Sequence, residues 1–436
     1  MTLRSTLACL FLGFAVRSVA APLTSDVTPL PVPSSSAQRL YTAAKTDLLQ
    51  IRTLLKNGHT QSSVGSGFLI GNSNLVVTNY HVMSQIALEP ETYVSEYVDT
   101  NAQRGPVELL AVDVLHDLAV VRINRHGSGV FNVPDELPQL TQGQYLYSLG
   151  NPLDLGFAIS EGAYNGVIGR SFYDQLMFTG PINAGMSGGP SVTVDGRVAG
   201  VNVSKRLDGE LVSFLVPVRY VRDLLRRVGG EAKPPADFKP VVAQQLLQHQ
   251  VVMMNRLLEG PLTIKSLGPY RVPVRESDQV RCWGRSNAKL DKPYQTDQMD
   301  CSMESAIFVS DQLQTGQVSF RHKYLRSSEL GSLRFSSLAS KEFKGHGFGG
   351  AKDLRLTAPQ CVEQFVSHKG LPLRAVLCAR AYRKFPALYD FALISASTDA
   401  DTMSLQSRLD ARGVSYENGL RVGRAFLEAI SREAVP

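Results

Sequence analysis

The sequence predicts an all-β barrel or sandwich over residues 38–230, followed by an α+β domain over 241–436. Three observations carry this prediction. Between residues 64 and 218 the chain is a series of short apolar runs split by Gly, Asn, Asp and Pro: "GSGFLIG", "NLVVTNY", "ELLAVDVL", "LAVVRIN", "QYLYSLG", "VAGVNVS" and "LVSFLVPV". Short runs with turn signals between them read as strands. The stretch "GGEAKPPADFKP" at 229–240 then breaks any regular element and marks a boundary, with 231–240 as the linker. Composition also changes there: residues 38–230 carry 15 Lys/Arg against 17 Asp/Glu, a net of −2, whereas residues 231–436 carry 28 against 21, a net of +7. A length of 436 residues favours two domains, and 43% hydrophobic with 19% charged residues suits packed cores.

Taken in order, the first residues, "MTLRSTLACLFLGFAVRSVAAP", read as a secretory signal. Arg4 supplies the positive end, residues 5–16 the apolar run, and "SVA" at 18–20 the small residues for cleavage after Ala20. No later apolar run is long enough to span a membrane, so no anchor is expected after cleavage. Residues 21–37 form a Pro/Ser-rich leader. "AQRLYTAAKTDLLQIRTLL" has helical spacing, and after the strands "VRYVRDLLRRV" at 218–228 forms an amphipathic helix closing the unit. Beyond the boundary, "VVAQQLLQHQVVMMNRLL" reads as a helix, "LRAVLCARAYRKF" and "YDFALISAST" as strands, and 414–431 as a last helix. Once the signal is removed, four cysteines remain: Cys282, Cys301, Cys361 and Cys378. An even number in an exported chain implies two disulfides. Of the three pairings, the local one, Cys282–Cys301 with Cys361–Cys378, is expected. No C-x-x-C and no paired histidines at ligand spacing occur, so no metal or other cofactor is assigned.

The chemistry centres on "NAGMSGGPSV" at 183–192, where Gly185, Gly188 and Gly189 surround Ser187. A serine hydroxyl is a poor nucleophile unless a histidine takes its proton and an acid orients the histidine. Among eight histidines, His81 stands directly after a strand in "VVTNYHVM", and Asp117 directly before one in "LHDLAVVRI". His116 and Asp113 are the nearest rivals; Ser191 and Ser213 lack the glycine turn and read as structural. The order His, Asp, Ser is that of the chymotrypsin-type arrangement.

"TNYHV", "HDLAVVRI", "SLGNPLDLGFAISEG" and "INAGMSGGPSVTVDGRVAGVNV" resemble, in order, the successive blocks of the HtrA/Deg family of exported serine proteases. The resemblance runs from about 64 to 228. It implies a chymotrypsin-like double β-barrel, Ser187 as nucleophile, His81 as general base and acid, and Asp117 as the residue orienting His81. It further implies an oxyanion hole from the N–H groups of Gly185 and Ser187. By analogy, Ile182, Asn183, Val201, Asn202 and Val203 would bind substrate, with 201–205 pairing to it as an added strand. The chain departs from the family pattern in two places. No PDZ-type carboxylate loop is evident after 240, the glycine-rich "GHGFGG" at 345–350 lacking the flanking strands. Met186 stands where the family commonly has asparagine. The pocket segments carry no buried acid, so an uncharged, small-to-aliphatic residue before the cut is expected.

Together these readings describe a periplasmic or secreted serine endopeptidase acting on extended or unfolded polypeptides. The basic second half offers a surface for an acidic envelope or extracellular partner; no nucleic-acid partner is expected. The rival readings are a protease-fold chaperone or scaffold, and an envelope-binding protein whose main function lies in the second half. Because every candidate catalytic group precedes residue 229, residues 38–230 are expected to react with a small probe on their own.

Overall fold

The computed structural model describes residues 34–205, 211–229, 233–288, 291–311, 313–344, 348 and 353–433. The secretory-signal reading of 1–20 lies outside these residues, as do most of the leader and most of "GHGFGG". Helix α1 (Ser35–Ala44) begins inside the stretch read as leader, where the Ser34 hydroxyl caps it by accepting the Ala37 N–H at 3.3 Å. The helical spacing that follows does not persist. "LLQIRTLL" is strand β1 (Leu48–Leu55), because pairing on both sides buries nearly the whole run and overrides its periodicity.

The first sheet is built from β1, β2 (Gln61–Leu69), β3 (Leu75–Thr78), β4 (Tyr93–Asp99), β5 (Arg104–Pro106), β6 (Glu108–Asp113) and β7 (Leu118–Arg122). Its order is β5-β4-β1-β2-β3-β7-β6, and helix α2 (Tyr80–Leu88) leaves it directly after β3. A closed six-stranded barrel follows, from β8 (Tyr145–Gly150), β9 (Ala158–Val167), β10 (Leu176–Phe178), β11 (Pro190–Val192), β12 (Val198–Lys205) and β13 (Ser213–Pro217). Helix α3 (Val218–Val228) closes it, burying Val221 and Leu224 in one cluster with Phe68, Val77 and Val120 of the first sheet and Leu149, Val201 and Val216 of the barrel. The serine turn hangs between β10 and β11, and the His81 helix starts at the end of β3, an interior strand of the first sheet.

Beyond 240 the chain is mostly β. Helix α4 (Lys239–Leu257) leads to β14 (Thr263–Leu267) and β15 (Tyr270–Val274). Then come β16 (Val280–Ser286), β17 (Gln295–Met303), β18 (Ile307–Ser310), β19 (Leu313–Thr315) and β20 (Gln317–Arg326). Helix α5 (Ser332–Lys344) precedes β21 (Gln360–His368), β22 (Leu371–Ala381), β23 (Tyr389–Ser397) and β24 (Met403–Val414). Helix α6 (Tyr416–Glu428) and β25 (Ser431–Arg432) end the described chain. Seven strands form an antiparallel sheet in the order β16-β17-β20-β24-β23-β22-β21. Disulfides Cys282–Cys301 and Cys361–Cys378 join directly opposed residues, each tying an outermost strand to its neighbour. The expected local pairing is therefore the one the structure contains, at both edges of one sheet.

The apolar core does not divide at 229–240. One cluster combines Tyr80, Val82, Met83 and Leu88 of α2 with Val242 and Leu246 of α4, Ile307, Val309 and Leu313 of the β18–β19 hairpin, and Tyr382 and Phe385. The Tyr80 hydroxyl donates to the Val309 carbonyl at 2.8 Å, and Lys384 pairs with Glu89 at 2.7 Å. The second half is packed against the helix that carries His81. No helix among the described residues is long and apolar enough to cross a membrane.

Candidate active site

His81 occupies the first turn of α2, just past Asn79, where β3 runs out. Asp117 sits in the tight turn between β6 and β7 with φ of +54°, a conformation that aspartate tolerates better than most residues. The Asn79 amide holds this turn by donating to the Asp117 carbonyl at 2.7 Å. The Asp117 carboxylate then takes two bonds from one residue: the His81 backbone N–H at 2.8 Å and His81 Nδ1 at 2.7 Å. Both bonds fix the imidazole, placing a proton on Nδ1 and leaving Nε2 as the acceptor. Burial alone would lower the His81 pKa, but the charge and hydrogen bond of Asp117 outweigh it and raise His81 above its ordinary value. The ring is 28% exposed, enough for Nε2 to meet a substrate.

The serine turn is held by its carbonyls. The Ala184 carbonyl accepts the Leu153 N–H at 2.7 Å. The Met186 carbonyl accepts the Gly189 N–H at 3.1 Å and Asn202 Nδ2 at 3.2 Å. In a trans peptide the N–H points opposite to the C=O. Anchoring these two carbonyls therefore turns the N–H groups of Gly185 and Ser187 the other way, and neither N–H donates to any group among the described residues. Gly185 has φ of +91°, and a Cβ there would lie 2.4 Å from the Asn151 carbonyl oxygen. Gly188, at φ of +86°, would place one 2.2 Å from the Ser66 carbonyl oxygen. Buried Ser66 adds a further tie: its hydroxyl donates to the Gly185 carbonyl at 2.7 Å and accepts the Asn151 N–H at 2.9 Å. Ser187 Oγ donates to the Val203 carbonyl at 3.2 Å, and no hydrogen bond links it to His81.

The other predicted positions separate by burial. Val203 and Asn183 remain partly accessible, and Val203 borders a cavity of about 450 Å³ beside His81. Ile182, Val201 and Asn202 do not face a substrate. Ile182 packs inside the barrel with Leu146 and Met186, and Val201 lies in the core between barrel and first sheet. Asn202 is fully buried beneath the serine turn and spends both backbone groups there, its N–H on the Gly189 carbonyl and its carbonyl on the Gly188 N–H. Its amide bonds Leu149 and Met186 carbonyls, and its oxygen accepts from Ser148 and Ser191. These three residues are corrected from substrate contacts to interior ones: Ile182 is a loop residue tucked into the barrel, and Val201 and Asn202, on opposite faces of β12, are covered by the core between barrel and first sheet and by the serine turn respectively. Ser191 and Ser213 are structural, Ser213 donating to the Gly180 carbonyl at 2.9 Å.

The rival pair, Asp113 and His116, forms its own contact at 2.9 Å, with His116 stacked on Tyr220 and Asp113 also bound by Arg227. Burial would raise the Asp113 pKa, but His116 and Arg227 hold the carboxyl below its ordinary value. The sequence reading missed Ser66, the Leu153 anchor and Phe308. Ser66 had a signal in its glycine neighbours within "GSGFLIG". Phe308, whose ring lies edge-on to His81 with centroids 5.9 Å apart, had none.

Residues 65–201 match the family model described as trypsin-like peptidase domain. The chain is 30% identical over 187 residues to the mitochondrial serine protease HTRA2 of Drosophila erecta, covering 41% of this chain and 42% of that one. It is 32% identical over 230 residues to the same-named protein of Drosophila persimilis, covering 47% and 52%. The chain thus spans about half the length of the curated relatives it matches. Among solved structures, the serine endoprotease from Yersinia pestis aligns with 45% of this chain and 67% of its own, at TM-score 0.38 and 22% identity. Over these residues the chain is similar to trypsin-like peptidase domains and to the HTRA2 serine proteases.

Proposed function

We propose that the protein is an exported serine endopeptidase that cleaves extended or unfolded polypeptides through an acyl-enzyme. Ser187 Oγ attacks the scissile carbonyl while His81 Nε2 takes its proton and then delivers it to the leaving amine. Asp117 holds the imidazole and stabilises its charged form, and the N–H groups of Gly185 and Ser187 receive the developing oxyanion. Water, deprotonated by His81, then releases the acyl product. The observation that carries this reading is the pair of N–H groups beside a serine that donate to no group among the described residues, each on a peptide anchored through its carbonyl.

Substrate binding also accounts for the resting position of Ser187. Past Val201, β12 has no strand partner on its β11 side among the described residues. A substrate strand added there gives the Val203 carbonyl a new N–H donor, freeing the Ser187 hydroxyl to turn to His81. The pocket segments carry no buried acid, which suits an uncharged residue before the cut. The two disulfides suit an oxidising compartment, periplasmic or secreted.

The test is casein cleavage by the full chain. Ser187→Ala and His81→Ala should each abolish it, and the double variant should lose no more than either, since such groups act as a unit. Cleavage that survives Ser187→Ala overturns the reading. The bond from Ser187 to Val203 favours a second reading, a binding scaffold without catalysis. That reading predicts casein binding without cleavage.

A further inference from the structure

The cavity beside His81 has a wall that the peptidase domain does not supply. Its apolar lining includes Ile168 and Phe172 of the loop before β10, Val203 and Phe214 of the barrel, and Ile307 and Phe308 of the β18 strand. The last two stand more than 220 residues after His81 in the chain. Their placement follows from alternation along β18. Val309 and Ile307 belong to the core shared with α2, Ile307 at its border with the cavity, while Phe308 is only partly buried and reaches from that core into the cavity. The strand is pinned by Tyr80, whose hydroxyl donates to the Val309 carbonyl and whose ring meets Phe308 edge-on at 6.3 Å. Phe308 also contacts the His81 ring, so it borders the place where bond cleavage is proposed.

Two acids of the lining are already engaged by arginines. Glu304 pairs with Arg281 at 2.7 Å, and Asp174 pairs with Arg219. Arg170, Gln175 and Gln314 also line the cavity, while Phe172, Val203, Phe214 and Phe308 supply an apolar contact surface that suits an apolar side chain. Phe308 and Gln314 also border a second cavity of about 270 Å³, whose lining includes Asp353, Arg380, Asp390 and Arg412. The phenyl ring therefore stands where an apolar space and a charged space come together.

We propose that residues 304–308 complete the substrate cleft, with Phe308 as a specificity-determining residue that selects an apolar substrate side chain in the subsite beside His81. The inference rests on the endopeptidase activity proposed above. It assigns the second half of the chain a direct part in substrate choice.

The experiment is a positional peptide-library profile of the full-length protein, compared with Phe308→Ala and Phe308→Trp. The unaltered protein should prefer Leu or Val over Ala and over charged residues at one acyl-side position. Phe308→Ala should lower that preference about tenfold, the scale set by apolar contacts in a pocket. It should also admit charged side chains, because the subsite then opens onto Arg380, Arg412 and their acidic neighbours. Phe308→Trp narrows the subsite and should shift the preference at the same position toward smaller residues. If Phe308→Ala does not fold, the tryptophan variant decides alone. An unchanged profile in each folded variant overturns the proposal. Labelling of the unaltered protein by a small fluorophosphonate reports the nucleophile separately. No labelling overturns the proposed activity, whereas labelling with an unchanged profile overturns only the subsite.

Discussion

Asn202→Ala tests how the serine turn is held. The Asn202 side chain is fully buried and makes four hydrogen bonds: Nδ2 to the Leu149 carbonyl at 2.9 Å and the Met186 carbonyl at 3.2 Å, and Oδ1 from Ser148 at 2.6 Å and Ser191 at 2.8 Å. At about 1 kcal/mol net for each bond, their loss should cost roughly 4 kcal/mol of stability. The effect on catalysis has a separate cause. The Met186 carbonyl loses its side-chain anchor, so the Ser187 N–H is oriented less firmly, and kcat should fall about tenfold or more with a smaller change in KM. Asn202→Asp distinguishes shape from chemistry. It keeps the side-chain outline but replaces the amide donor with a carboxylate oxygen facing two carbonyls, so it should be at least as damaging as alanine. Urea unfolding and steady-state kinetics on one peptide read both quantities. Stability within about 1 kcal/mol of the parent and unchanged kcat in both variants would refute the reasoning. A tolerated aspartate beside a damaging alanine would show that volume, not the donor, holds the turn.

Three further outcomes follow from the same geometry. Because Asp117 raises the His81 pKa and catalysis needs the neutral imidazole, kcat/KM should fall on the acid side with a midpoint above the ordinary histidine value of about 6.5. Asp117→Asn should move that midpoint to lower pH and reduce the plateau; a midpoint that stays put would separate Asp117 from His81. Each disulfide closes a short loop, with sequence separations of 19 and 17, so replacing either cysteine pair by serine should cost about 3 kcal/mol in urea unfolding. Truncation to 38–230 uncovers the α2 face of Tyr80, Val82 and Met83, so it should bind the dye ANS and lose fluorophosphonate labelling. A monomeric, well-folded truncation that still labels would show the shared core to be dispensable.

The truncation marks where sequence reasoning stopped. The peptidase strands were legible because each is short, apolar and bounded by turn residues, and the serine turn because glycines at positive φ leave a plain signature. The disulfides were legible because direct cross-strand pairs leave short sequence separations. Strand β1 was misread as helix because its burial on both faces removes the alternation that identifies a strand. Val201 and Asn202 were assigned to the cleft because a strand segment can be aligned without revealing which face each residue takes. The packing of α2 against β18 was invisible for a different reason. Tyr80 and Val309 are 229 residues apart, and no local pattern reports such a contact. The expectation that residues 38–230 react with a small probe on their own now stands against that packing, since the helix bearing His81 is covered from the far side of the boundary, and the truncation decides between them.

The central claim is that Ser187 is a nucleophile served by His81 and two backbone donors. The most direct measurement is mass spectrometry of the full-length protein after reaction with a fluorophosphonate, followed by peptide mapping of the adduct. The account predicts one phosphonate per chain, on Ser187, with labelling slowed at least a hundredfold in His81→Ala, the lower end of what general-base assistance contributes. An adduct on another residue, or labelling of Ser187 at the same rate without His81, would contradict it.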